Sequence, residues 1–227
     1  MKSVFRFLGL VLLAGLALQI YFAARIALMA VVNPESTAFQ RSEVWRIATN
    51  TGALRWRQQW VPYADISDAL KRAVIASEDA NFAEHDGVDW VALEKAYTKN
   101  ATRHRVTGGG STITQQLAKN LFLSGSRNYL RKGQEMVIAF MLETIMSKER
   151  ILEIYLNVIE FGRGVFGAEA AARHYFNVPA SSLSAAQAAR LAVMLPNPRF
   201  YDRHRDTSYL ARRTSLIMRR MNSAELP

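Results

Sequence analysis

The chain begins with an unbroken apolar run and then changes to short polar breaks between helical stripes. From 7 to 24, 18 residues carry no charge and only Gln19 is strongly polar; as a helix rising 1.5 Å per residue this measures about 27 Å, close to the hydrocarbon thickness of a bilayer. Arg25 interrupts the run, which resumes to Val32. A long side chain near the hydrocarbon edge reaches the headgroups at modest cost, so the span extends past Ala24 with some tilt. A cleaved signal would have a shorter apolar core ending in a small-x-small site, and no Ala-x-Ala triplet follows here. The run therefore reads as an uncleaved anchor. Lys2 and Arg6 flank its first end, which by the positive-inside rule stays cytoplasmic and sends the remaining chain across the membrane.

Residues 33–60 read as a linker, with 55–61 alternating like a short strand or hairpin arm. After Pro62 the period becomes helical. Asp65 is placed to cap a helix whose apolar stripe is Ile66, Leu70, Ala73 and Val74, with Glu78 near its end. Further helices are predicted from Asp89, over 112–123, 130–146, 148–158, 168–175 and 208–221, and over 185–194 with Ser184 and Gln187 as capping pair. Residues 98–110, basic and then glycine-rich, read as mobile. The fold class is mainly α: an anchor at 1–32, a linker at 33–60 and one globular domain at 61–227.

Within that domain, a glycine hinge at 108–110 runs through Ser111 into Thr112-Ile113-Thr114-Gln115-Gln116-Leu117-Ala118-Lys119-Asn120. At about 100° per residue, Thr112, Gln115, Gln116, Lys119 and Asn120 share one arc and Ile113, Leu117, Ala118 and Leu121 the opposite one. Thr112 and Gln115 fit a capping box, which starts the helix at the glycines and leaves N–H groups facing whatever lies above the loop. An ordinary surface helix behind a flexible loop has the same pattern, so this segment alone is ambiguous between that and the floor of a polar cleft.

Charge and composition narrow the chemistry. Lys and Arg number 29 against 19 Asp and Glu, a formal charge of +10, with arginines crowded at 203, 205, 212, 213, 219 and 220. Such a surface suits polyanions. For a domain tethered outside a membrane these are anionic lipid headgroups or a pyrophosphate-linked lipid, and nucleic acid is not expected. There is no cysteine, which excludes disulfides, thiolate metal sites and a cysteine nucleophile. No Ser-x-x-Lys and no Lys-Thr-Gly occurs, so a penicillin-binding nucleophile is missing.

Five motifs occur in order: Glu78-Asp79-Ala80-Asn81-Phe82-Ala83-Glu84-His85-Asp86-Gly87, the glycine hinge with its helix, Arg131-Lys132-Gly133-Gln134-Glu135, Glu160-Phe161-Gly162-Arg163-Gly164 after Tyr155-Leu156-Asn157, and Leu195-Pro196-Asn197-Pro198. Over residues 61–201 this series resembles the peptidoglycan glycosyltransferases that polymerise lipid II, and the single-domain length is similar to their monofunctional branch. The resemblance implies a lysozyme-like lobe with a smaller lobe against the membrane, an inverting transfer, and release of polyprenyl pyrophosphate. Arg203 stands where that family often has proline, which affects only the path of the last loop.

By position in those motifs, the resemblance makes Glu78 the base that deprotonates the acceptor, assigns Lys119 and Arg127 to the donor pyrophosphate, and makes Glu135 the second essential carboxylate. From residue chemistry, Glu78 beside Asp79 is equally a solvated surface pair. Arg131, with Thr112, Gln116 and Asn120, is a candidate for donor binding or for surface charge. Glu135 is open between second base, metal contact and orienting partner of Arg131. Asp79 is expected to orient a turn, Phe82 to pack, His85 to make a local hydrogen bond, and Gly109, Gly110 and Ser111 to support the hinge. The glycines at 162, 164 and 167 fit either a tight helix-to-helix connection or a substrate contact. No organic cofactor is expected; a divalent cation, Mg or Mn, can assist at the pyrophosphate, with its ligands unknown. Expected partners are lipid II, the growing glycan strand, membrane lipids and other wall-synthesis or division proteins, at the bacterial cytoplasmic (inner) membrane with the domain on the external side. A glycan-cleaving lysozyme-like enzyme and a non-catalytic scaffold are the alternatives.

Overall fold

The computed structural model describes residues 2–53, 56–103, 110–123 and 128–227. Helix α1 (Lys2–Met29) is the one helix among the described residues long and apolar enough to cross a membrane. Its first five turns touch almost no protein; Phe22, Ile26 and Met29, spaced to share one face, are buried at its end.

Residues 33–60 are not the linker expected. They contain α2 (Ala38–Thr51), which begins at a Thr37–Gln40 capping box and ends at Gly52 in the left-handed conformation, φ +64°. The buried positions of α2 have helical spacing, but two of the three are Gln40 and Glu43, with Ile47 the third, so an apolar stripe is absent from the sequence. Strand β1 (Arg57–Gln58) is no hairpin arm. It pairs in parallel with β3 (Val165–Phe166), which pairs antiparallel with β2 (Glu160–Gly162), giving the order β1-β3-β2. The glycine-rich stretch from Glu160 is thus a hairpin between two helices.

Helix α3 (Asp68–Glu78) starts two residues later than predicted. Ser67 Oγ accepts from Leu70 N at 3.2 Å and caps it, whereas Asp65 ends a short 3-10 turn, Tyr63–Asp65. Then come α4 (Trp90–Arg103), α5 (Ile113–Phe122), α6 (Tyr129–Ile145), α7 (Lys148–Val158), α8 (Ala168–Phe176), α9 (Ala185–Met194), α10 (Pro198–Arg203) and α11 (Ser208–Arg220). Helix α4 extends to Arg103 through half of the segment read as mobile; 104–109 lie outside the described residues.

The core lies where α3, α5, α7 and α9 converge. Leu70, Val74, Ile113, Leu117, Ile154, Leu156 and Leu191 are almost wholly buried, each removing enough apolar surface to stabilise the fold by about 1.5–3 kcal/mol. Alanines at 188, 189 and 192 let α9 lie close against α3. The end of α7 is joined to the strand region by Asn157, whose side chain accepts from Val61 N at 2.9 Å and donates to Val61 O at 2.9 Å.

That junction constrains Gly167. Its φ is +82°, and a Cβ there would stand 2.5 Å from Asn157 O. Gly167→Ala should therefore cost about 3 kcal/mol, combining left-handed strain with a backbone clash, and lower the midpoint of thermal unfolding by about 6–12 °C. Gly133→Ala is the control: it lies within α6, with nothing within 4 Å of its added Cβ, and should be neutral or slightly stabilising.

Candidate active site

Glu78 is the last residue of α3, and Asp79 leaves the helix with φ −162°. The turn that follows is fixed by the Asp79 carboxylate. Oδ2 accepts from Ile113 N at 3.0 Å, the first residue of α5, and Oδ1 lies 2.8 Å from His85 Nε2. A carboxylate is favoured there because the first N–H groups of a helix lack intrahelical partners and carry its positive dipole end. His85 Nδ1 accepts from Gly87 N at 3.1 Å, so Nε2 carries the proton given to Asp79. Thr112 Oγ1 donates to Gly87 O at 2.6 Å, closing the circuit between the turn and the hinge. Phe82 is buried beneath it, with Lys148 Nζ 4.6 Å from its ring centre. Lys148 also donates to Glu143, which accepts from Thr114 Oγ1 at 2.5 Å.

Helix α5 is more buried than its pattern suggests. The capping box forms, but Thr112, Thr114, Gln115 and Asn120 are all buried; Gln116 is half-buried and Lys119 exposed. The polar arc is thus divided between the interior and the cleft. Gln116 Nε2 donates to Glu78 Oε2 at 2.9 Å, and Tyr155 OH donates to Gln116 Oε1 at 2.9 Å. Tyr155 is fully buried, and its donated proton decides which way the amide faces. Burial, and to a smaller degree Asp79, pushes the Glu78 carboxyl above the ordinary glutamate range; bonds from Gln116 and Ser77, and the more distant Arg213, only partly offset this. Burial also holds the Tyr155 phenol well above its usual range, reinforced by Glu78 and Asp79.

Glu135 has the opposite surroundings. It is buried on α6 between Arg131 Nη1 at 2.7 Å and Lys132 Nζ at 2.5 Å. Lys132 also approaches Gln115 Oε1 at 3.4 Å and Ser111 Oγ at 3.5 Å. Gln115 and Gln116, adjacent on α5, therefore contact the Glu135 and Glu78 groups respectively. No hydrogen bond joins the two carboxylates among the described residues. Arg131 Nε is buried with no hydrogen-bond partner among those residues. Gly110 packs against Leu93 of α4; Gly109 and Arg127 lie outside the described residues.

Three contributors escaped sequence reasoning. Lys132 sits inside a recognised motif, but only the structure bonds it to Glu135. Tyr155 is recognisable as a core aromatic, and nothing local relates it to Gln116, 39 residues earlier. The Thr114–Glu143–Lys148 group spans three helices. For a metal, the protein's own donors do not fit: no three His, Asp or Glu side chains are placed to hold a metal ion among the described residues, and Glu135 is already held by two cations.

The sequence profile of the family described as Transglycosylase matches residues 46–222. The chain is 60% identical over 226 residues to the biosynthetic peptidoglycan transglycosylase of Janthinobacterium sp. (strain Marseille), covering 100% of this chain and 98% of the relative. The same identity and coverage hold for the protein so named from Herminiimonas arsenicoxydans. That of Burkholderia thailandensis is 59% identical over 214 residues, 94% of this chain and 84% of the relative. The chain belongs to the transglycosylase family: it is a mainly helical peptidoglycan glycosyltransferase with a lysozyme-like domain, and it polymerises glycan strands in cell wall synthesis.

Proposed function

We propose that the chain polymerises lipid II by a single inverting displacement, with Glu78 as general base. The observation that carries this is the half-buried Glu78 carboxyl, held by an amide that Tyr155 locks in place. The acceptor hydroxyl gives its proton to Glu78 as its oxygen attacks the donor's anomeric carbon; the bond to pyrophosphate breaks with its electron pair, leaving a β-1,4 linkage and polyprenyl pyrophosphate. A carboxyl raised toward neutral pH accepts that proton more readily than an ordinary glutamate.

Lys119, Arg127, Arg131 and Lys132 are the cations for the departing pyrophosphate. Glu135 orients two of them. Its contacts with Arg131 and Lys132 favour that role over a second base, because both of its oxygens are already engaged by those cations. A divalent cation would enter with the pyrophosphate oxygens, since the protein's own donors make no cage for one. The same cations argue against a glycan hydrolase, whose neutral substrate has no pyrophosphate. For the anchor, Lys2 and Arg6 at its first end support a topology with the catalytic domain on the external side of the cytoplasmic membrane.

Glu78→Gln should keep the fold and donor binding but slow glycan formation from lipid II by about a hundred- to ten-thousand-fold. In the native enzyme the acidic limb of the pH–rate profile should lie above the ordinary glutamate value of 4.5. The folded state retains this proton in the window where the unfolded chain has lost it, so stability falls as pH rises through that window. At neutral pH, Glu78→Gln should thus unfold no earlier than wild type; near wild-type turnover in this variant would remove Glu78 as base.

Glu135→Gln should raise KM and lower kcat by about ten- to a hundredfold through misplaced cations, leaving the acidic limb where it was. Loss of that limb in Glu135→Gln, and its retention in Glu78→Gln, would exchange the two roles. Reporter fusions after Gln40 and at the C-terminus should both register on the external side, and a cytoplasmic signal from either reverses the topology.

A further inference from the structure

A cavity of about 900 Å³ opens between α2, the β2–β3 hairpin and α10. None of the Glu78 or Glu135 group is in its wall. Five arginines line it, Arg46, Arg57, Arg163, Arg199 and Arg203, against one acid, Asp202. Carboxylates nearby neutralise some of this charge and no more. Glu43 and Glu160, both buried, are taken up by Arg46 and Arg199. Asp202 is shared among His174, Arg205 and the backbone N–H of Arg163. Arg57, Arg163 and Arg203 have no carboxylate partner among the described residues, and Arg57 faces only His174 Nδ1, at 3.2 Å.

Like charges converging on one cavity repel each other in the free protein, and a cleft lined by one sign of charge concentrates ions of the other. Guanidinium forks match carboxylate oxygens in pairs. One part of the lining is different in kind: Trp56, half-buried and tilted against Phe166 with ring centres 5.7 Å apart, offers an apolar surface. The volume far exceeds that needed for one inorganic anion. An extended ligand with several carboxylates and an apolar portion fits this combination.

We propose that this cavity binds the carboxylate-bearing peptides carried on the nascent glycan strand, away from the reacting groups. The inference rests on the polymerase reading for its ligand. It gives the enzyme a second hold on its product, with Arg57, Arg163 and Arg203 as the carboxylate contacts and Trp56 as the apolar one.

The test is calorimetric titration of the full chain in detergent with a soluble disaccharide–peptide fragment of peptidoglycan bearing free carboxylates. Binding should weaken at least about tenfold in the double variant Arg57→Ala/Arg163→Ala, and by a similar factor when the fragment's carboxylates are amidated. Both side chains are exposed and leave the buried acids paired with Arg46 and Arg199, so the fold should persist, as circular dichroism can verify. The initial rate on lipid II should stay within about twofold of wild type. Unchanged affinity in the double variant, or equal binding of the amidated fragment, overturns the proposal. So does a fragment that binds no better than peptide-free glycan, inorganic phosphate or anionic-lipid vesicles. A collapse of the initial rate in step with affinity would place the cavity in the reaction groove instead. The titration does not require turnover, and glycan ladders from lipid II test the polymerase reading separately.

Discussion

The role proposed for Glu78 needs two things that normally exclude each other: a carboxyl partly withdrawn from water and a carboxyl not neutralised by a nearby cation. An ion pair would satisfy burial but pull the group's proton affinity down. The fold resolves this with a neutral donor. Gln116 supplies one hydrogen bond, and Tyr155, buried and oriented by the core, fixes that amide by donating to its oxygen. Three helices have to meet for this chain of contacts to exist, so the packing of α3, α5 and α7 is a condition of the chemistry as well as of stability.

Two of the cations proposed for the pyrophosphate lie on a separate helix. Arg131 and Lys132 both lie in the first turn of α6 and share Glu135, which holds them in place while leaving a net positive charge. Partition of this kind is what the proposed mechanism requires, a proton acceptor and an anion clamp that do not neutralise each other. Adjacent glutamines on α5 set their spacing: Gln115 meets Lys132 and Gln116 meets Glu78.

The anchor is tied to the same helix. Gln19 of α1 and Gln134 of α6 exchange two hydrogen bonds, at 2.9 and 3.0 Å, and Phe22 meets Phe122 of α5 edge-on with ring centres 5.1 Å apart. An amide in an apolar span is costly unless paired, so this contact fixes the rotation of the anchor about its axis. It thereby orients α6, with Arg131 and Lys132, relative to the anchor.

The sequence by itself determined what depends on neighbours within a few turns. Capping at Thr112 and Ser184, the extent of 148–158 and the apolar span of the anchor are local, because backbone hydrogen bonds and helical periodicity are local. Five ordered motifs were enough to identify the family and to single out Glu78 and Glu135. Long-range complementarity decided the rest. Helix α2 went unseen because two of the three residues on its buried face are Gln40 and Glu43, whose partners Val158 O and Arg199 lie on distant segments. The parallel pairing of Arg57 with Val165 bridges more than a hundred residues and leaves no local trace. The setting behind the role proposed for Glu78 is likewise not local: its partial enclosure and its bond from Gln116 arise only when α3, α5 and α7 meet.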